Sequence, residues 1–389
     1  MTPVVWILLI AATIGHFAFA LFLFNRLHAR AWPYRSRQAL ERFLVFVTLA
    51  IPAIALARHW PLLLVDDSAA FRLGWAKGPG ELSLLAGYVV FCWLVLLLSL
   101  PFWLWPKLRY RVPGALVEND TQVHDLTAFA RPSVTGSFPR LCASLPGNEV
   151  FRLNVQIKKL KHPRLPAGLK GLRIAHLTDL HLTGKIGSEY FHEVVRLTNE
   201  LKPDIVALTG DIAEKTKCLP WIRPLFEKLH SPRGRFYILG NHDFLLPDVE
   251  ALRLELMNAG FVDLHGTSAQ VWFNDTHFLL AGNELPWNGP EPKLPAPGEP
   301  FRILLAHTPD LFSWAQQQQF DLMLAGHNHG GQICLPLIGP LVSPSNHGTR
   351  YAAGLFHQGT TLMHVGRGIS GEHLLRWNCP PELTLLVLE

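Results

Sequence analysis

Five short polar sequences, each placed directly after an apolar run, limit what this chain can fold into more than any other feature. Short apolar runs bounded by turn signals are typical of buried strands, and strands that alternate with helical segments predict an α/β layered sheet. Ligand sites in such sheets gather at the carboxyl ends of the strands. The five sequences are Thr178-Asp179-Leu180-His181, Gly210-Asp211, Gly240-Asn241-His242-Asp243, His307 and Gly326-His327-Asn328-His329-Gly330.

The apolar runs themselves supply the predicted elements of the C-terminal part of the chain. Residues 150–157 alternate in polarity as a half-buried strand does, and 194–201 have the spacing of part of a helix. The remaining predicted strands are short and almost wholly apolar, which indicates burial on both faces. They are 172–177, 205–208, 236–239, 278–281, 303–306 and 322–325.

The residue types in the polar sequences point to metal chemistry. Carboxylate and imidazole donors without thiolate suit a borderline-hard divalent ion such as manganese, iron or zinc. One such sequence alone is unspecific, because Asp-x-His and Gly-Asp are common. All five in this order supply seven donors, which are enough for two metals that share a carboxylate and would lie about 3.5–4 Å apart.

The order D-x-H, G-D, G-N-H-D, H and G-H-x-H resembles the calcineurin-like metallophosphoesterases. The extended G-H-x-H-G-G-Q form, with the later "GRGIS" and "NCPPELTLLVL", resembles their bacterial membrane-anchored subgroup. The resemblance covers roughly residues 150–389. It implies a layered β-sandwich flanked by helices, and a metal-dependent phosphoester hydrolase acting as a phosphodiesterase, phosphatase or pyrophosphatase.

The resemblance also implies a role for each matching position. Two divalent ions are expected, manganese first and iron or zinc as alternatives, with a bridging hydroxide that attacks phosphorus in line. His242 would stabilise the phosphoryl oxygens or protonate the leaving oxygen, and Asp243 would orient His242. One metal would be held by Asp179, His181 and His329, the other by Asn241, His307 and His327, and Asp211 would bridge both.

The first third of the chain has the composition of a membrane region. Residues 3–24 contain no charged side chain and are long enough to cross a bilayer. A cleaved signal peptide is the competing interpretation, but no Lys or Arg precedes Arg26. We expect an all-α region, 1–111, with spans at 3–24, 43–65 and 82–105, then a linker at 112–148 and the phosphoesterase domain at 149–389.

The distribution of basic residues predicts the orientation. Five arginines lie in 25–42 and three basic residues in 107–111, against three in 58–81. With three spans, the positive-inside rule places both basic ends and the C-terminal domain in the cytoplasm, at the cell inner membrane. The middle span contains Pro52 and is interrupted by Arg58. If this segment did not cross the membrane, the phosphoesterase domain would be exported. Residues 1–111 carry a net charge of +7 and the remaining residues −2. The basic excess therefore lies in the apolar region, which argues against a nucleic-acid surface.

Three classes of function remain open at this point. The first is a membrane-anchored hydrolase of phosphoesters or pyrophosphates, including lipid-linked ones such as UDP-diacylglucosamine, with tryptophans lining an apolar groove. The second is a non-catalytic metal-binding interaction module, although every donor position is intact. The third is a membrane sensor or transporter, for which His16, Arg58 and His59 are the ionisable residues in the apolar stretches. The sequence does not determine the oligomeric state. Candidate groove residues are Trp221, Trp272, Trp287 and Trp314.

Overall fold

The computed structural model describes residues 3–63, 79–296, 298 and 300–389. The chain divides into two compact units, Met1–Tyr110 and Arg111–Glu389. The described part of the first unit contains helices α1 (Pro3–His28), α2 (Tyr34–Leu63) and α3 (Pro79–Arg109). In the described part of the chain, three helical stretches are long and apolar enough to cross a membrane: Trp6–His28, Tyr34–Ala57 and Ala86–Arg109.

The predicted first and third spans, 3–24 and 82–105, lie inside α1 and α3. The predicted middle span, 43–65, is placed differently. Helix α2 begins at Tyr34 and continues through Pro52, and its apolar stretch ends at Ala57. The last two residues of that predicted span, and most of the loop used in the charge comparison, lie outside the described residues.

The three helices make close contacts with one another. Gly15 lies so near the backbone of Cys92 that a side chain there would overlap its carbonyl oxygen. His16 bonds the Thr48 carbonyl at 2.9 Å and also contacts the Tyr88 hydroxyl. Small residues and interhelical hydrogen bonds are what hold helices together in lipid. His16 is therefore accounted for by packing within the helical unit.

The second unit contains two large β-sheets and one small hairpin. The first sheet has the strand order β1-β2-β15-β3-β4-β5-β6, and the second has the order β13-β14-β10-β9-β8-β7. Strands β3 to β6 are parallel neighbours, as are β8, β9, β10 and β14. The strands are β1 Leu116–Asp125, β2 Arg152–Leu160, β3 Arg173–Leu177, β4 Ile205–Thr209, β5 Arg235–Ile238, β6 Phe261–Asp263, β7 Ser268–Phe273, β8 Thr276–Asn283, β9 Phe301–Ala306, β10 Leu322–Ala325, β11 Cys334–Leu335, β12 Gly339–Pro340, β13 Gly354–Gln358, β14 Thr361–Val365 and β15 Glu382–Leu388.

The sheets pack face to face, and helices cover their outer faces. Alternate residues of one strand enter different cores: Ile205 lies between the sheets, whereas Val206 faces the helices. This burial on both faces explains why the strands are apolar throughout, and the predicted layered α/β fold is confirmed. The helices are α4 Thr127–Ala130, α5 Ser137–Ser144, α6 Ser188–Glu200, α7 Leu219–Phe226, α8 Val249–Asn258 and α9 Phe312–Gln317.

The predicted linker at 112–148 is part of the second unit, which begins at Arg111 rather than near 149. Strand β1 pairs antiparallel with β2 along its length, and Ala130, Val134 and Cys142 are buried in the helix-side core. The prediction failed because β1 is an edge strand whose side chains are mostly exposed, so polar residues occupy both of its faces.

Candidate metal centre

The five polar sequences meet at one edge of the two packed sheets. They follow β3, β4, β5, β9 and β10, and the carboxyl ends of parallel strands lie at the same edge. The loops also contact one another directly. The Asp179 N–H donates to the Gly210 carbonyl at 3.0 Å, and the His181 N–H donates to the Asp211 carbonyl at 2.9 Å. The loop after β3 is thus fixed against the loop after β4.

Backbone geometry in these loops is unusual, because five of the predicted donors have positive φ angles between 47° and 71°. Non-glycine residues rarely adopt this region, and such conformations concentrate at functional sites. Gly210 makes the close approach possible, since a side chain there would collide with the Gly240 backbone and the His307 ring. The five donors are Asp179, His181, Asp211, His327 and His329.

One group of side chains brings Asp179, His181, Asp211 and His329 together, with one potential ligand atom of each within 4.8 Å of the others. His181 Nε2 lies 2.9 Å from His329 Nε2 and 3.7 Å from Asp211 Oδ2. His329 Nε2 lies 3.3 Å from Asp179 Oδ1. Two imidazole nitrogens and two carboxylates thus surround one point.

A second group combines Asp211, His307 and His327 within the same limit. His307 Nε2 lies 3.2 Å from Asp211 Oδ2 and 3.1 Å from Asn241 Oδ1. Asp211 therefore belongs to both groups, and the structure brings all seven predicted donors together. The donors are buried, apart from the partly exposed His329.

The outer nitrogens of two rings are held by neighbouring acceptors. His181 Nδ1 lies 2.5 Å from Glu214 Oε1, and His307 Nδ1 bonds the Thr209 carbonyl at 2.7 Å. A proton on Nδ1 leaves Nε2 free as a ligand, and second partners of this kind orient metal-binding histidines. Nε2 of His327 is buried without a hydrogen-bond partner among the described residues. Such an unpaired nitrogen beside carboxylates fits a bound cation.

The electrostatics of the centre agree with this donor set. Burial lowers the pKa of His327 and that of His329 well below the usual range, so both rings are neutral, as ligation requires. Burial by itself raises the pKa of the Asp211 carboxyl. The nearby His307 and His242 outweigh this effect and hold that pKa well below its usual range. Asp211 is therefore ionised and provides the shared negative charge.

His242 lies next to this centre and is more exposed than the rings of His181 and His307, with 18% of its side chain accessible. Its Nδ1 is 3.1 Å from Glu214 Oε1. Burial alone would lower the pKa of His242, but the charges of Asp211 and Glu214 outweigh it and raise the pKa to about 9. These two carboxylates favour the protonated form of the ring, which borders solvent.

Asp243, which the sequence predicted would orient His242, instead binds backbone N–H groups of two loops. Its Oδ1 accepts the N–H groups of Ile212 and Ala213 at 2.7 and 2.8 Å, and its Oδ2 accepts that of Gly240 at 2.8 Å. Burial and the charge of Asp211 raise the pKa of Asp243 to about 7. This side chain ties the loops after β4 and β5 together, which positions Asp211 and Asn241. The prediction failed because sequence neighbours in a tight turn point in different directions.

The residue that sequence reasoning missed is Glu214. It is buried three positions after Asp211 and contacts both His181 and His242. Among the four candidate groove tryptophans, Trp287 is the one placed at the centre, with its ring 4.9 Å from that of His327 and 5.5 Å from that of His307. Trp221 and Trp314 pack against the cores, and Trp272 is exposed on β7.

Comparison with known proteins places this geometry in a family. Residues 172–331 match the calcineurin-like phosphoesterases. The chain is 32% identical over 243 residues to the uncharacterized metallophosphoesterase YkuE of Bacillus subtilis, covering 59% of this chain and 83% of that protein. It is 31% identical over 223 residues to the phosphodiesterase YaeI of Escherichia coli, covering 56% and 82%.

A third relative has a lipid-linked substrate in its name. The UDP-2,3-diacylglucosamine pyrophosphatase LpxG of Chlamydia trachomatis is 26% identical over 296 residues, covering 61% of this chain and 88% of that protein. The match to the family covers residues 172–331, the part of the chain that carries the five loops. The chain belongs to the calcineurin-like metallophosphoesterase family, whose members are metal-dependent phosphoesterases.

Proposed function

We propose that this chain is a membrane-anchored hydrolase of phosphoesters that uses two divalent metal ions. The observation that carries the proposal is the position of Asp211, whose carboxylate belongs to both groups of buried donors. A shared carboxylate is the feature that distinguishes a two-metal site from two separate ones. The first ion would lie among Asp179, His181 and His329 and the second among Asn241, His307 and His327.

Manganese is the proposed metal, with iron or zinc as alternatives, because the donors are carboxylates, an amide and imidazoles. Bound divalent ions would neutralise the phosphate charge and lower the pKa of a water molecule. The chain's own contribution is to fix the donors through loop contacts and to exclude competing ligands by burial. Asp243 holds two of the loops, and Glu214 fixes the His181 ring.

His242 is the proposed proton donor. It is not among the donors of either group that contains Asp211, it borders solvent, and the Glu214 carboxylate beside it favours a protonated ring. Its Nδ1 faces Glu214, which leaves Nε2 for a substrate oxygen. A positioned acid of this kind typically contributes 10²–10⁴-fold to a rate by protonating the leaving group.

The proposed substrate is a phosphodiester or a pyrophosphate. One relative is named a phosphodiesterase and another a pyrophosphatase for a diacylated sugar nucleotide. Three apolar helices in the same chain would keep the enzyme at a membrane, where lipid-linked substrates lie. Loss of donors is what a non-catalytic module would show, and all seven positions and His242 are in place here.

The test of the proposed function is metal removal and replacement. Detergent-purified chain, stripped of metal, is expected to hydrolyse bis-p-nitrophenyl phosphate only after Mn²⁺, Fe²⁺ or Zn²⁺ is returned, and to bind two ions by elemental analysis. The rate relative to p-nitrophenyl phosphate separates diester from monoester specificity. Two bound ions without turnover would narrow the substrate to one such as a lipid pyrophosphate. Failure to bind metal would make the non-catalytic module the better proposal.

The proposed location is the cell inner membrane, with the phosphoesterase unit in the cytoplasm, because the basic residues flank the first and third helices on that side. A fluorescent protein fused after Glu389 is expected to mature, and a reporter enzyme that works only outside the cytoplasm is expected to stay silent. The same two reporters fused after His28 should give the same pair of results, since α1 ends on the cytoplasmic side. The reverse pattern at Glu389 would mean that one helix does not span.

A further inference from the structure

A short hairpin that follows the metal-site loop exposes apolar side chains. Strands β11 and β12 enclose a turn in which Leu337 is fully exposed, and Leu335 and Ile338 are each 39% exposed. Leu337 has a φ of 64°, a conformation that bulky residues rarely adopt. The base of the hairpin is tied to the metal site, because the Cys334 thiol donates to the Gly330 carbonyl at 3.3 Å.

Helix α5 exposes a second apolar group on the same unit. Its residue Cys142 is buried in the core, whereas Phe138 and Leu141 are about 60% exposed. The helix therefore packs against the core and still presents two large apolar side chains to the surroundings. Isolated exposed apolar residues are ordinary, but contiguous ones mark an interaction site.

Trp377 joins the hairpin to the α5 region. Its backbone pairs with Ile333 at the base of the hairpin, and its indole lies beside Gly147, three residues beyond the end of α5. Nearby, the rings of Phe138 and His373 approach edge to face at 6.5 Å. The apolar surface is the set of exposed apolar side chains on the hairpin, on α5 and at Trp377, namely Phe138, Leu141, Leu335, Leu337, Ile338 and Trp377.

Charge beside the apolar surface favours a lipid partner over a protein partner. Arg131 and Arg140 are exposed and line a groove of about 270 Å³ next to α5. Amphipathic helices with Phe and Leu on one face and Lys or Arg on the other lie in the interface of anionic bilayers, with the apolar face about 5–10 Å deep. The apolar surface and the two arginines have this composition.

The length of the connecting chain puts a bilayer within reach. Helix α3 ends at Arg109, where Lys107 and Arg109 lie over the rings of Trp103 and Trp105, the pairing typical of a membrane interface. Strand β1 begins at Leu116. At about 3.3–3.6 Å per residue, the connection spans roughly 20–25 Å at most, so the phosphoesterase unit is tethered close to any membrane that α3 crosses.

We propose that the apolar surface lies in the headgroup and acyl boundary of the bilayer that anchors this chain. The hairpin then holds the edge of the metal site at the lipid surface, where the scissile phosphate of a lipid-linked substrate would be. This inference rests on the membrane anchoring in the proposed function, and it deepens the substrate class to phosphoesters carried by membrane lipids. It does not depend on which metal is bound.

The test is a depth measurement on the full chain in nanodiscs that contain phosphatidylglycerol. Leu337→Cys and Leu141→Cys are each made in a Cys334→Ser background and carry a nitroxide label. The Cys334→Ser chain without an added cysteine gives the background signal. Collision with oxygen, which concentrates in lipid, is compared with collision with a water-soluble nickel chelate. Leu254→Cys, on α8, is the matched control, because Leu254 and Leu141 are exposed to a similar degree.

Oxygen access is expected to exceed nickel access at positions 337 and 141 and to be lower than nickel access at 254. Equal, water-like values at all three positions would overturn the proposal. Low access to both reagents at 337 and 141 would also overturn it, because that result means that protein covers the surface. No turnover enters this measurement, so a chain without hydrolytic activity could still show the insertion, and the two proposals fail separately.

Discussion

Asp211→Asn is expected to lower kcat by at least about 10³-fold and to reduce bound metal from two ions per chain to one or none. The physical reason is that the Asp211 carboxylate lies 3.2 Å from His307 Nε2 and 3.7 Å from His181 Nε2, so one negative charge serves both donor groups. Elemental analysis of the purified variant and hydrolysis of bis-p-nitrophenyl phosphate over a range of Mn²⁺ concentrations measure the two effects.

Asparagine is the right replacement because it preserves the fold around the site. Asp211 has a φ of 54°, which asparagine tolerates better than most residues. Its Oδ1 accepts the backbone N–H of His242 at 2.8 Å, and an amide oxygen can accept the same bond. The change therefore removes charge and little else.

The matched control for this variant is Asp321→Asn. Asp321 is an equally buried carboxylate that accepts the backbone N–H of Arg302 at 2.8 Å. It lies just before β10, at the opposite end of that strand from the metal loop. It is expected to keep both metals and a kcat within about threefold of the parent, because distant sites act independently. Two bound metals and near-normal turnover in Asp211→Asn would show that this carboxylate does not bridge.

Much of the fold could be predicted because the central strands are buried on both faces. Such strands appear in the sequence as apolar runs, and 322–325 matches β10 residue for residue. Strand β1 gave no such signal, because polar residues occupy both of its faces. The β15 segment is itself an apolar run, but its place between β2 and β3 depends on pairings with residues more than 200 positions earlier. Periodicity within a segment carries no information about a partner that far away.

The residues of the candidate site also fall into those that the sequence predicts and those that it does not. The donors could be predicted because each follows a strand, and the ends of parallel strands must meet. The supporting residues could not, because their roles depend on which way a side chain turns inside a loop. Asp243 seemed the natural partner of His242 in the sequence, but it binds three backbone N–H groups, and Glu214 takes the place beside the ring. The one signal in the sequence was the position of Glu214, a carboxylate three residues after Asp211.

His242→Ala is expected to lower kcat by about 10²–10⁴-fold while both metals stay bound. The ring lies outside the two donor groups that share Asp211, and its protonated state suits transfer of a proton to the leaving oxygen. His357→Ala, at an exposed position on β13, is the matched control and should leave turnover unchanged. Loss of one metal in His242→Ala would instead make this residue a ligand.

Glu214→Gln separates the two roles of the missed carboxylate. Glu214 holds His181 Nδ1 at 2.5 Å, so its loss should weaken metal affinity by about 10–100-fold, as for other groups that support a ligand. At saturating metal, a second effect remains. The charge of Glu214 helps to raise the pKa of His242, and a histidine that donates a proton works only below its pKa.

Removing that charge lowers the pKa of His242, so activity should be lost at a lower pH as the pH rises. The measurement is kcat against pH for the parent and Glu214→Gln at saturating Mn²⁺, with His242→Ala as the reference that lacks the group. If the alkaline limb moves to lower pH in Glu214→Gln and disappears in His242→Ala, the limb belongs to His242. An alkaline limb at the same pH in all three proteins would assign it to another group and remove His242 from the proton transfer.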